Sequence, residues 1–179
     1  LKDKLVESQK SEHNSSGSGW FKFKEGKNSI RVLTEPEPFF EDFKKGICYT
    51  DCGFKGSAKS LAYILDNADN SVKLMRIPYT ITELIAGWQT DEDWAFESFP
   101  MPFDINIEVK GAGTKEVKYN PTPRPKKSEV SDDVISSVMK QKTCAEIIAK
   151  LKEKNIEKHK ADGSWQIEQD RKAALIKDL

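Results

Sequence analysis

The sequence predicts a mainly β fold: an antiparallel barrel of five to six strands with a short helix, followed by a C-terminal helical extension. Three observations predict it. Residues 103–110, FDINIEVK, alternate apolar and polar side chains strictly, the period of a strand with one buried face. From residue 20 to residue 127, strand-like segments follow one another between glycine, proline and asparagine turns, interrupted once by helical spacing. From Ser131 onward the period turns helical.

The elements follow in order. Residues 1–19 end in SEHNSSGSG and read as a flexible N-terminal arm. WFKFK then alternates aromatic and basic residues, with Phe21 and Phe23 on the buried face and Trp20, Lys22 and Lys24 on the other. After the EGKN turn, SIRVLTEP reads as the second half of this long, bent first strand, with Ile30 and Val32 inward and Arg31 outward. FFEDFKKGICYTD supplies a second strand, and KSLAYILD, apolar on both faces, a central third. NADNS turns the chain into VKLMRI, and Pro78 closes that hairpin.

TITELIAGW has helical spacing, with Ile81, Leu84, Ile85 and Trp88 on one side and Thr80 as N-cap. An acidic loop carrying Trp94, Phe96 and Phe99 leads to the clean strand at 103–110, GAGT turns the chain, and KEVKYNPTP pairs back. Ser131 caps a helix with two acids in its first turn, and Thr143 to Glu146 forms a capping box for a helix reaching about residue 155. ADG makes a turn before a last helix. The domains are therefore residues 1–19, the arm; 20–127, the β domain; and 128–179, the helical extension. A short helix before the final hairpin is the arrangement of an oligonucleotide-binding (OB) type barrel. Another small α+β sheet remains the alternative.

The chain has 179 residues and balances 29 Lys+Arg against 29 Asp+Glu, which argues against a uniformly basic nucleic-acid binder but leaves room for a local basic face. No apolar run approaches the ~20 residues that span a bilayer, and LKDKLVESQK does not read as a signal peptide, so no membrane partner is expected. Three cysteines, an odd number, fit a reducing cytoplasm rather than a disulfide framework. The spacing of Cys48 and Cys52 could begin a zinc site, but neither His13 nor His159 stands where it would complete one. No metal or other cofactor is expected.

Catalysis is poorly supported. Both histidines fall in polar segments outside the barrel, and the glycine pairs at 17–19 and 111–113 are too short for a phosphate loop. The acids of TDEDWAFE read as a solvated loop. No enzyme activity is expected.

Binding is better supported. Cations gather on the strands while acids gather in EPEPFFED and TDEDWAFE. Phosphates need cations and unstacked bases need aromatic faces. Trp20, Tyr49, Tyr63 and Tyr119 lie in or beside the strands that carry the cations. Core packing is the competing reading for Trp20 and Tyr63.

WFKFKEGKNSIRVLTEP resembles the opening strand of bacteriophage-type single-stranded-DNA-binding proteins. KSLAYILDNADNSVKLMRIPYTITELIAGW is similar to their central hairpin and helix, and WAFESFPMPFDINIEVKGAGTKEVKYNPTPRP to their final hairpin. These blocks cover about residues 20–127 in the family's order. The resemblance implies an OB barrel that coats single-stranded DNA in phage replication, recombination or repair, largely without sequence preference. It implies cationic contacts from Lys22, Lys24, Arg31, Lys59, Lys73, Arg76 and Lys118, and stacking from Trp20, Tyr63 and Tyr119. Tyr49 joins the stacking set by placement rather than by motif. Some members of the wider group carry a zinc subdomain, which the cysteines here do not supply. Many end in an acidic tail, where this chain has the charge-balanced segment 131–179. The implied partners are single-stranded DNA, with RNA left open, and phage replication or recombination proteins docking on 128–179. Self-association is left open, and the compartment would be the host cytoplasm. A protein–protein interaction module without nucleic acid is the alternative.

Overall fold

The computed structural model describes residues 19–179. Nearly all of the arm read over 1–19, with His13, lies outside the described residues. The described chain forms β1 (Gly19–Trp20), β2 (Gly26–Val32), β3 (Glu37–Asp42), β4 (Gly46–Ile47), β5 (Ser57–Asp66), β6 (Ser71–Pro78), α1 (Tyr79–Thr90), β7 (Phe103–Lys110), β8 (Lys118–Lys127), α2 (Asp132–Met139), α3 (Cys144–Asp162) and α4 (Ser164–Lys177). The strands make one mixed sheet in the order β1-β6-β5-β2-β7-β8, with β3 joined to β5 and β4 to β3. Only the β1–β6 pairing is parallel among those recorded.

Eight strands replace the five or six expected, because two long strands break. The first is interrupted after Trp20 and resumes at Gly26, whose φ of +86° turns the chain so that its two halves find different neighbours. β1 runs beside β6, with Trp20 opposite Leu74, whereas β2 pairs with both β5 and β7. The expected second strand folds on itself as β3 and β4. The Asp42 carboxylate accepts from the amides of Lys44 and Lys45 at 2.8 and 2.7 Å, and Gly46 takes φ +81° to complete the turn.

The chain divides into two compact units. The first contains the described residues to Glu35, then Ala62–Met75 and Gly87–Lys140. Its core rests on the strict alternation read in β7: Phe103, Ile105, Ile107 and Val109 are wholly enclosed, with Ile30, Val32 and Met101. Trp94 and Phe96 from the acidic loop pack on Phe103, with ring centroids 5.3 and 5.9 Å away. Ser131 caps α2 as expected, accepting from the Val134 amide.

The second unit contains Pro36–Leu61, Arg76–Ala86 and Gln141–Leu179. Here α1 starts directly from Pro78, so Thr80 sits inside the first turn instead of capping it. Ile81 and Ile85 are buried as the spacing predicts, whereas Leu84 is exposed. Thr143 caps α3 by accepting from the Glu146 amide at 3.2 Å. That helix runs to Asp162, beyond the expected end, and stops at Gly163 with φ +82°. The extra turns carry Asn155 and His159 inward, and Asn155 donates to the carbonyls of Lys45 and Ile47 at 2.9 and 2.7 Å.

Candidate functional site

The amino-terminal strands of the first unit hold the best site. The Phe21 amide donates to the Leu74 carbonyl at 2.8 Å, extending the β1–β6 pairing and fixing the lysine-bearing stretch that follows. Asn28 then acts as a staple. Its side chain accepts from the Lys24 amide and donates back to the Lys24 carbonyl, at 3.0 and 2.8 Å, which sets the bend before β2. Lys22, Lys24 and Lys27 come to border a cleft of about 250 Å³ with Phe21, Asn28 and Asn67. Among the described residues, none of these three ammonium groups makes an ion pair.

The nearby acids are already engaged. Glu25 accepts from the amides of Gly111 and Ala112 at 3.3 and 2.8 Å, tying down the glycine turn between β7 and β8. Asp66, which also borders the cleft, is held by Lys73 at 2.7 Å. Lys73 spans Asp66 and Asp69, both at 2.7 Å. Burial pulls the Lys73 pKa down, but its hydrogen bonds to the two carboxylates outweigh that and leave it above its ordinary value.

Three half-buried rings continue from the lysines. Phe21 meets Phe23 edge-on at 5.2 Å, and Phe23 tilts onto Tyr119 at 4.7 Å. Burial pushes the Tyr119 hydroxyl above its usual pKa, so the ring stays neutral. Lys118 precedes it and stands opposite Lys110 across the β7–β8 ladder. Two like charges in register repel each other, a cost that a bound anion would relieve.

The structure thus gathers Trp20, Lys22, Lys24, Lys118 and Tyr119 in this unit, with Trp20, Lys22, Lys24 and Lys118 exposed. The other expected contacts are taken up within the protein, Arg31 and Tyr63 in this unit and Tyr49, Lys59 and Arg76 in the second. Arg31 is only 5% exposed, not outward-facing. Its Nε donates to Asp104 at 2.6 Å and its other nitrogens to the Met101 and Ser128 carbonyls and the Ser128 hydroxyl, so the protein itself engages this enclosed guanidinium. Tyr63 is 2% exposed, packed in the core because β5 is enclosed on both faces. Tyr49 is 7% exposed and hydrogen-bonds His159 Nδ1 at 2.8 Å in the second unit. Lys59 and Arg76 both turn to Glu41 there, at 3.0 and 3.5 Å.

No protein-family model, curated protein or solved structure matches the chain.

Sequence reasoning assigned Phe21 and Phe23 to the core and left Lys27 out of the site. The available signal is the lysine spacing in WFKFKEGK, where Lys27 follows Lys22 and Lys24. His159 was read as lying in a polar segment, and burial between Tyr49 and Phe54 corrects that. Within the described residues no helix is long and apolar enough to cross a membrane, and no group of acids, cysteines and histidines could hold a metal ion.

Proposed function

We propose that this chain is a non-catalytic single-stranded-DNA-binding protein of OB type. The observation that carries the reading is the run of Lys22, Lys24 and Lys27, without carboxylate partners, beside the ring series Phe21, Phe23 and Tyr119. Cations track phosphates and open aromatic faces stack bases, so the two together suit an unpaired strand. The strand path supports the fold assignment. Taking the five longer strands of the path alone, β6-β5-β2-β7-β8 with α1 inserted between β6 and β7 follows the order of a partly open five-stranded Greek-key barrel. Largely sequence-independent coating of DNA in phage replication, recombination or repair rests on the family resemblance.

Tryptophan fluorescence against oligo-dT at two salt concentrations tests the reading, with duplex DNA as competitor. Quenching that weakens steeply with salt and prefers the single strand is expected. Lys22→Ala and Lys24→Ala should each reduce the logarithmic salt slope by about 0.7. No quenching at low salt overturns it.

One observation favours the interaction-module alternative: Ile167, Leu175 and Ile176 of α4 are exposed. Retention of oligo-dT binding by the Ile176→Asp variant would separate that surface from the DNA site.

A further inference from the structure

The second unit contains a cavity of about 360 Å³ beneath the 44–54 loop, separate from the lysine cleft of the first unit. Tyr49, Phe54, His159 and Ile167 line it together with Lys44, Lys45 and Lys158 and the carboxylates of Asp162 and Glu168. His159 is 7% exposed, and its single side-chain hydrogen bond among the described residues joins Nδ1 to the Tyr49 hydroxyl. Burial raises the Tyr49 pKa, so its hydroxyl stays neutral at the Nδ1 contact. With Nδ1 engaged by Tyr49, Nε2 is the ring nitrogen left to meet a ligand. Nε2 makes no hydrogen bond among the described residues, and the His159 ring lines the cavity.

The charges around this ring are unequal in how they are spent. Asp162 accepts from the Ser164 hydroxyl and amide, and Glu168 takes both Arg171 donors at 2.6 and 3.0 Å. Lys44, Lys45 and Lys158 make no ion pair among the described residues. The Lys45 ammonium lies 5.6 Å from the centroid of the Phe54 ring, which brings a cation and an aromatic face to the same wall. The N-terminus of α4 also borders the cavity through Ser164, whose amide donates to the Asp162 carboxylate.

We propose that this cavity binds the phosphate ester of a single nucleotide, with His159 Nε2 and the three lysines as phosphate ligands and Phe54 and Ile167 receiving the nucleoside. Its volume suits one nucleotide and is too small for a run of several. The phosphate could be that of a free nucleotide or the terminal phosphate of a DNA strand. The proposal does not depend on the DNA-coating reading, because its residues belong to the other unit.

Calorimetric titration of the full chain with thymidine 5′-monophosphate, with thymidine and with inorganic phosphate tests it. Saturable binding of the nucleotide is expected, with thymidine at least tenfold weaker. The exposed double variant Lys45→Ala/Lys158→Ala should lose tenfold or more while keeping its melting temperature, and His159→Phe should abolish binding if it folds. No nucleotide binding, or equal binding by the lysine variant, overturns the proposal. Comparing 5′-phosphorylated with 5′-hydroxyl oligo-dT as competitors assigns the source. Tighter competition by the phosphorylated strand supports a strand end, and equal competition supports the free nucleotide. Lys22→Ala/Lys24→Ala keeps the readings apart. It should lose oligo-dT yet retain the mononucleotide, and the reverse pattern would overturn both assignments.

Discussion

The Arg31 Nε donates to Asp104 Oδ1 across 2.6 Å, joining β2 to β7 between residues 73 positions apart in sequence. The same guanidinium holds the Ser128 carbonyl at 2.7 Å, so one arginine fixes both a neighbouring strand and the chain leaving β8. Asp104→Ala would leave that arginine enclosed without its counter-charge. Breaking a buried pair costs about 3–5 kcal/mol, and because a third of the Asp104 side chain is exposed, about 2–3 kcal/mol is expected. Urea denaturation measures it. Lysine at position 31 cannot reproduce the fork and should destabilise similarly, without altering the salt slope of DNA binding.

Tyr63 and Trp20 should part company under the same substitution. Tyr63→Ala empties a site in the enclosed strand β5 and should cost about 3–5 kcal/mol. Trp20→Ala, at an exposed position, should move the unfolding midpoint little and weaken oligo-dT binding by roughly tenfold. Equal losses of stability would make Trp20 a packing residue.

The two aromatics also mark what the sequence could disclose. KSLAYILD, apolar on both faces, already announced a strand enclosed on both sides, and a tyrosine inside it has no exposed face to offer. Strand β7 was legible to the residue because alternation encodes burial directly. Arg31 was not, since its carboxylate partner arrives from a distant strand and no local pattern records that meeting. Asn155 and His159 fall on the buried stripe of Cys144 and Ile148, at helical spacing, but their polarity hid the stripe's continuation. Gly163 was the readable stop.

Tyr119→Phe should leave DNA binding within about twofold, because Phe keeps both the stacking face and the contact with Phe23. Tyr119→Ala should weaken binding by about 1–3 kcal/mol at low and high salt alike. Fluorescence titration at both ionic strengths distinguishes this from the loss of a phosphate contact, which changes the slope.

Acid should loosen the hairpin turn at Asp69. The Lys73 ammonium, then the Ser71 hydroxyl, hold that carboxyl below its ordinary value of 3.8. A depressed carboxylate contributes stability above its unfolded pKa and loses it as pH falls through the lower folded value. Lys73→Met should therefore be less stable than the wild type at pH 6, and the gap should narrow below pH ~4. A gap that stays constant with pH would show that the Asp69 carboxylate does not carry the loss. Melting curves across that range measure it.

The two units share the chain in alternating segments, and this governs how the protein can be made. The first draws on residues as late as Lys140 and the second on residues as late as Leu179. β2 must wait for β7, since Gly26 pairs with Val109. Neither unit can close until its latest segment has been made, so each depends on contacts between residues far apart in sequence. A nascent chain stalled at residue 127 should remain open to protease throughout.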